Sequence, residues 1–296
     1  MNKVIVITGP TAVGKTKMSI ELAKKINGEI INADSTQIFR NLDIATAKVT
    51  ESEKENIKHH LFDIKDITEN YTVFDYQRDC RKKIKEIEEK GKTPILVGGT
   101  GLYIKAALYD YKFEEEKNIY DFSNYSNEEL YDKLKKIDSN MNIHINNRKR
   151  LERAFAYYKE NNKMITSVEK SNEPIYNVIF IGLTTDRQVL YDRINKRVDL
   201  MLKNGLLKEA KEIYNTNIRT KAVMTPIGYK ELFTYFDGNC SLEESINLIK
   251  QKSRNYAKKQ YTWFNHQIKI NWFNVDFDDF DKKIDEVYNF ILKKDN

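Results

Sequence analysis

Hydrophobic and polar positions alternate along this chain in two rhythms. Val4, Ile5, Val6 and Ile7 form an unbroken β-branched run, the pattern of a strand buried on both faces of a parallel sheet. A glycine-bearing stretch from Gly9 to Thr16 follows, and then Met18, Leu22, Ala23 and Ile26 recur at helical spacing. Gly28 stands just past the last of these, where a glycine that closes a helix belongs. Residues 29–33 predict a second strand ending at Asp34 and Ser35, and residues 73–90 a helix closed by Gly91. Residues 94–97 predict a third strand, running into Gly98-Gly99-Thr100-Gly101, and residues 177–183 a fourth. Strands that alternate with helices predict an α/β fold, a parallel sheet flanked by helices and joined by right-handed crossovers.

Between the third and fourth strands the pattern is helical, and residues 112–128 are polar, acidic and broken. This predicts an inserted, mainly helical segment over 113–144, with the core formed by 1–112 and 145–296. Residues 186–264 read as mostly helical, and the tail from Asp276 is acidic before a short final helix.

Composition narrows the picture only slightly. At 40% hydrophobic and 32% charged residues, the chain has enough apolar surface for a core and a well-solvated exterior. Fifty Lys and Arg against 44 Asp and Glu give a net +6, which permits a polyanionic partner without requiring one. Cys80 and Cys240 lack metal-ligand spacing and are too few for a disulfide framework. No apolar run reaches the roughly 18 residues of a membrane helix, so a cytoplasmic protein with no membrane partner is expected. A monomer is the expectation.

The strongest chemical signal is Gly9-Pro10-Thr11-Ala12-Val13-Gly14-Lys15-Thr16, which fits G-x-x-x-x-G-K-[ST] in full between a strand and a helix. Backbone N–H groups of such a loop turn inward around a phosphate, the helix adds its positive end, Lys15 reaches phosphate oxygens and Thr16 can ligate Mg²⁺. The loop is thus a P-loop, and the sheet expected around it is of the P-loop NTPase type. ATPases and kinases of this type usually carry an apolar strand ending in a metal-binding Asp. Here the third strand ends in glycines and Thr100, and the clear strand-end carboxylate is Asp34. A carboxylate there can serve a metal or act as a general base; on position alone, a helix-capping or loop-folding role stays open.

These segments, together with Asp34-Ser35-Thr36-Gln37-Ile38-Phe39-Arg40, residues 42–48, His59-His60-Leu61-Phe62-Asp63, the run 94–104, Gly228-Tyr229-Lys230-Glu231 and residues 254–260 with Trp263 and Phe264, resemble the tRNA dimethylallyltransferases. The resemblance runs in order along nearly the whole chain. It implies transfer of a dimethylallyl group from dimethylallyl diphosphate to N6 of adenosine 37, beside the tRNA anticodon, with Mg²⁺ as cofactor. It further implies Asp34 as general base, Thr100 beside the departing diphosphate oxygen, and Ser35, Thr36 and Gln37 in the loop that grips the flipped adenine. Arg193 and Arg197, four residues apart, would help to hold the diphosphate, and the segment Lys149, Arg150, Leu151, Glu152, Arg153 would lie along the tRNA. The chain departs from the family's usual residues at Thr36, Phe39 and Ala45, and in the segment His144-Ile145-Asn146-Asn147. These departures touch base gripping and docking rather than phosphate chemistry. Two alternatives stay open: a P-loop small-molecule kinase and a prenyltransferase of free adenine nucleotides.

Two basic stripes suit an RNA partner. Lys149, Arg150 and Arg153 fall off the apolar face set by Leu151, Phe155 and Tyr158. Lys250, Arg254 and Lys258 are spaced by four, with Tyr256, Tyr261 and Trp263 interleaved. His59 and His60 lack a third ligand at metal spacing and are expected to pack or to fix a loop.

Overall fold

The computed structural model describes residues 3–111, 120–164 and 173–294. They divide into two compact units, Met1–Tyr109 with Pro174–Asn296, and Asp110–Glu173.

The first unit is a six-stranded sheet in the order β3-β2-β4-β1-β5-β6, parallel throughout. Its strands are β1 (Lys3–Thr8), β2 (Gly28–Asn32), β3 (His59–His60), β4 (Thr93–Val97), β5 (Asn177–Thr184) and β6 (Asn271–Asn274). The β-branched run makes β1 central, with Ile5 in register with Ile95 on one side and Ile179 on the other. Alternation along the strand then feeds two cores. Val4 and Val6 join Ile31, Leu96 and Phe180 on one face, while Ile5 and Ile7 join Ile30, Ile95 and Ile181 on the other.

Helices cover both faces. On the second face lie α1 (Lys15–Lys25), α6 (Arg187–Lys203) and α11 (Phe280–Lys293), through residues such as Leu22, Ile194 and Ile284. On the first face, α2 (Val73–Glu88), α3 (Gly101–Leu108), α7 (Leu206–Asn215) and α9 (Tyr229–Phe236) bring in Tyr76, Ile104, Ala210 and Leu232. The short α8 (Lys221–Met224) precedes α9, and the long α10 (Leu242–Gln267) gives Ile249 and Phe264 to the first core and Ala257 to the second.

The strand order turns around β1: the chain leaves β1 for β2 on one side and returns from β4 to β5 on the other. Ligand sites of open α/β sheets form at such a reversal, beyond the carboxyl ends of the strands. The segments after β1, β2 and β4 all emerge there, carrying Gly9, Asp34 and Gly98.

Three expectations need correction. Gly28 does not close α1: Asn27 takes the left-handed conformation, with φ 50°, and Gly28 is the first residue of β2. Strands β3 and β6 lie at the two edges of the sheet and were not predicted from the sequence. The inserted unit is also wider than 113–144, of which residues 113–119 lie outside the described residues.

Within that second unit, α4 (Asn127–Ile137) is started by a capping box of Ser126 and Glu129. Its Leu130 and Leu134 pack on Leu151, Ala154 and Phe155 of α5 (Arg148–Asn161), expected in the core. Arg148 ties the unit together by donating to the carbonyls of Phe122 and Tyr125, each at 2.5 Å.

Candidate active site

Three loops at the carboxyl edge of the sheet build the site. The first is the phosphate loop. Gly9 has φ 135°, and a Cβ there would stand 2.4 Å from the Leu183 carbonyl oxygen, so only glycine lets β1 turn this close to β5. Gly14, also left-handed, starts α1 with no side-chain cap and no acidic residue in the first turn. The helix therefore presents its free N–H groups and positive end to the loop. Thr16, in that first turn, opens onto a cavity of about 800 Å³ lined also by residues 11–15, Asp34, Arg193 and Arg197.

Cations converge on this loop. Lys15 Nζ donates to the carbonyls of Gly9 at 3.1 Å and Pro10 at 2.8 Å. From α6, Arg197 donates to Thr11 Oγ1 at 2.8 Å, and Arg193 to the Ala12 carbonyl at 3.1 Å while lying 3.5 Å over the Phe277 ring. Burial, reinforced by the Arg197 guanidinium, lowers Lys15 to about 7 against the pull of Asp34. Burial likewise lowers Arg197, which Asp34 partly offsets.

The second loop follows β2. Asn32 shapes it, donating to the carbonyl oxygens of Asp34 and Leu61 at 3.0 Å each and accepting from Asp34 N–H at 2.8 Å. Asp34 Oδ1 accepts from Thr36 N–H at 2.9 Å and Thr36 Oγ1 at 2.7 Å, an Asx-type turn that orients the carboxylate. Oδ2 has no hydrogen-bond partner among the described residues. Asp34, Ser35 and Thr36 line a second, smaller cavity of about 140 Å³, whose other walls include Ala45, Ile194, Val198, Met201 and Arg197. Gln37 does not line this smaller cavity but does line the larger one, and its amide donates to the carbonyls of Thr46 and Ala47 at 2.9 and 3.2 Å.

The third loop follows β4. Thr100 Oγ1 accepts from Ser35 N–H at 3.0 Å and donates to Ser35 Oγ at 3.3 Å, joining this loop to Asp34's. Gln260 of α10 joins it to the phosphate loop, with Oε1 accepting from Thr11 N–H at 2.9 Å and Nε2 donating to the Gly99 carbonyl at 3.2 Å. A Cβ on Gly99 would meet that Nε2 at 2.0 Å. Tyr256, one turn back on α10, lines both cavities, and burial raises its phenol so that it stays neutral beside Thr100 and Gln260.

The structure thus brings Gly9 to Thr16, Asp34, Ser35, Thr36, Thr100, Arg193 and Arg197 together, and treats the basic stripes differently. Lys250 pairs with Asp199 at 2.6 Å and Arg254 donates to Asn195 Oδ1 at 2.6 Å, so both face α6; Lys258 is exposed. Spacing by four identified one helix face but not the neighbour it meets. On α5, Lys149, Arg150 and Arg153 are exposed, whereas Leu151 is fully buried and Glu152 pairs with Arg148 at 2.6 Å. Leu151 cannot therefore touch a surface ligand. His60 Nε2 donates to the Glu29 carboxylate at 2.7 Å in a buried pair, and His59 Nδ1 donates to the Ile57 carbonyl. Among the described residues no three His, Cys, Asp or Glu side chains gather at a metal-binding distance, and no helix is long and apolar enough to cross a membrane.

A lowered Lys15 has a measurable consequence. A polyanion bound at the loop would restore its charge, so binding would take up a proton wherever the free ammonium has already lost one. Affinity for inorganic pyrophosphate is expected to weaken as the pH rises through about 7, approaching tenfold per unit well above it. Calorimetric titration across this range checks it, and an affinity independent of pH contradicts it.

Comparison with known proteins gives one consistent match. The family model described as IPP transferase matches residues 37–267. The chain is 47% identical to a tRNA dimethylallyltransferase of Anoxybacillus flavithermus, over 99% of this chain and 97% of that one. It is similar in structure to a tRNA isopentenylpyrophosphate transferase of Bacillus halodurans, with TM-score 0.78 and 44% identity over 99% and 97% of the two chains. A eukaryotic dimethylallyltransferase acting on tRNA superposes with TM-score 0.86 at 29% identity, over 99% of this chain and 80% of that one.

Proposed function

Because this chain belongs to the IPP transferase family, we propose that it transfers a dimethylallyl group from dimethylallyl diphosphate to N6 of adenosine 37 in tRNA, in the cytoplasm. The observation that carries the reading is the pair of adjoining cavities. The larger is cationic and edged by the phosphate loop; the smaller sets Asp34 and Arg197 against one apolar wall of Ile194, Val198, Met201, Ile227 and Ile249 and a second wall of hydroxyl side chains. A volume of about 140 Å³ is below the roughly 300 Å³ at which drug-sized pockets begin. It suits a short hydrocarbon better than a nucleoside, which favours prenyl over phosphoryl transfer.

In this reading the diphosphate lies along the loop, where Lys15, Arg197 and the N–H groups of α1 take up the charge that grows as the allylic C–O bond breaks. Thr100 stands beside the leaving oxygen. The adenine leaves the anticodon stack to reach the closed site. Its N6 forms the new C–N bond as Asp34 Oδ2 accepts the N6 proton, and diphosphate departs. Thr16, which lines the cavity, would offer its hydroxyl as the protein ligand of a Mg²⁺ ion there, and no cluster of carboxylates among the described residues competes for it. When bound, that ion neutralises diphosphate charge. The exposed Lys149, Arg150 and Arg153 of the inserted unit provide charge for the RNA backbone.

The test supplies labelled dimethylallyl diphosphate and Mg²⁺ with unmodified tRNA or with AMP. Label in the tRNA is expected. Label in AMP alone would identify a nucleotide prenyltransferase, and ATP-dependent phosphate transfer with no label in either would identify a kinase.

A further inference from the structure

Residues 43–49 wall both cavities, Ala45 and Thr46 the smaller one and Asp43, Ile44 and residues 46–49 the larger. The segment is held from outside. From α7, which places no residue in either cavity, Glu209 reaches it with both carboxylate oxygens. Oε2 accepts from the backbone N–H groups of Asp43 at 3.0 Å and Ile44 at 2.8 Å. Oε1 accepts from Ala45 N–H at 3.1 Å and from the Tyr229 hydroxyl at 2.8 Å. Three successive N–H groups converging on one anion form a rigid clamp, because ionised acceptors make the stronger hydrogen bonds. Gly228 closes in behind, where an added Cβ would stand 3.3 Å from that of Ala45. From the opposite side, Gln37 holds the carbonyls of Thr46 and Ala47, and Lys48 bonds Asp43, Asp63 and the Phe39 carbonyl.

We infer that Glu209 is a positioning residue that fixes the backbone of residues 43–45 as the cavity wall and so sets how long an allylic chain the smaller cavity accepts. The inference rests on the proposal that this cavity takes the prenyl group. With the carboxylate gone, three N–H groups must find water, the segment loosens, and the wall no longer excludes a longer hydrocarbon. The amide of Glu209→Gln turns an N–H₂ toward groups that are themselves donors, so it cannot replace the clamp.

The experiment compares dimethylallyl and geranyl diphosphate as donors to tRNA for the parent protein, Glu209→Gln, Glu209→Ala and the control Glu212→Ala, which alters an exposed residue of the same helix. Amide hydrogen exchange is followed in parallel. In the Glu209 variants, the ratio of kcat/KM for the short over the long donor is expected to fall at least tenfold. Exchange at residues 43–45 should accelerate at least tenfold while β1 and β4 stay protected, and the control should match the parent. An unchanged donor ratio overturns the inference, whether or not activity falls, as does exchange that accelerates equally everywhere. A parent protein that transfers no prenyl group from either donor refutes the proposed function instead, while the exchange result still reports whether Glu209 holds the segment.

Discussion

Asp34→Asn is expected to lower the rate of prenyl transfer by about a thousandfold, within the range that general-base catalysis supplies, while tRNA and donor still bind. The choice of asparagine matters. Its side-chain oxygen can keep both hydrogen bonds from Thr36, so the turn around residue 34 survives. What disappears is the second carboxylate oxygen, which Thr36 does not occupy and which the proposed reaction uses to accept the N6 proton. Asp34→Ala loses the turn as well and should be no less impaired. Single-turnover transfer with saturating donor and tRNA separates the roles. If asparagine retains activity within a few-fold of the parent and alanine does not, Asp34 is a loop-folding residue and the base lies elsewhere.

Arg197→Met is expected to weaken donor binding roughly a hundredfold, equivalent to about 2.7 kcal/mol, because in the proposed function this half-buried guanidinium meets the diphosphate where little solvent can replace it. A second effect has a definite sign. The guanidinium disfavours the charged form of Lys15, so its removal raises Lys15 above its present value of about 7. The pH at which donor affinity begins to fall should therefore move upward in the variant. Titrations of both proteins over the same pH range measure the two effects together. A weakened affinity with an unmoved pH profile would show that the two cations act on the donor independently.

The parts of the molecule legible in the sequence are those with a local cause. Four β-branched residues in a row can only be a buried strand, and the glycine spacing of the phosphate loop dictates its turn, so β1, the loop and α1 follow from adjacent residues. Strand β3 has two residues and β6 four, Asn-Trp-Phe-Asn, too short to show a period. Asn27 takes the left-handed position although a glycine, the more permissive residue, stands next to it, so composition alone points to the wrong one of the two. Long-range partners were invisible for a different reason. Lys250 and Arg254 form a stripe on any helical net, but only packing reveals that α6 offers Asp199 and Asn195 to them. Glu209 lies some 165 positions from the segment it holds and has no neighbouring motif to announce it. Arg193 and Arg197, assigned to the diphosphate through resemblance alone, hydrogen-bond the Ala12 carbonyl and Thr11 Oγ1 of the phosphate loop.

The stem of the inserted unit bears on how freely the insertion can vary. Tyr109 and Pro174 face each other in an isolated antiparallel bridge, and Ile175 N–H donates to the Leu108 carbonyl at 2.8 Å. Departure and return thus meet at one closed point on the rim of the core. Removing everything between them would leave every strand pairing of the sheet, and all the residues lining both cavities, in place. Such a stem decouples the two ends of the insertion from the sheet, so a change in the length or charge of the intervening segment leaves the strand pairing and the cavity linings with their own supports.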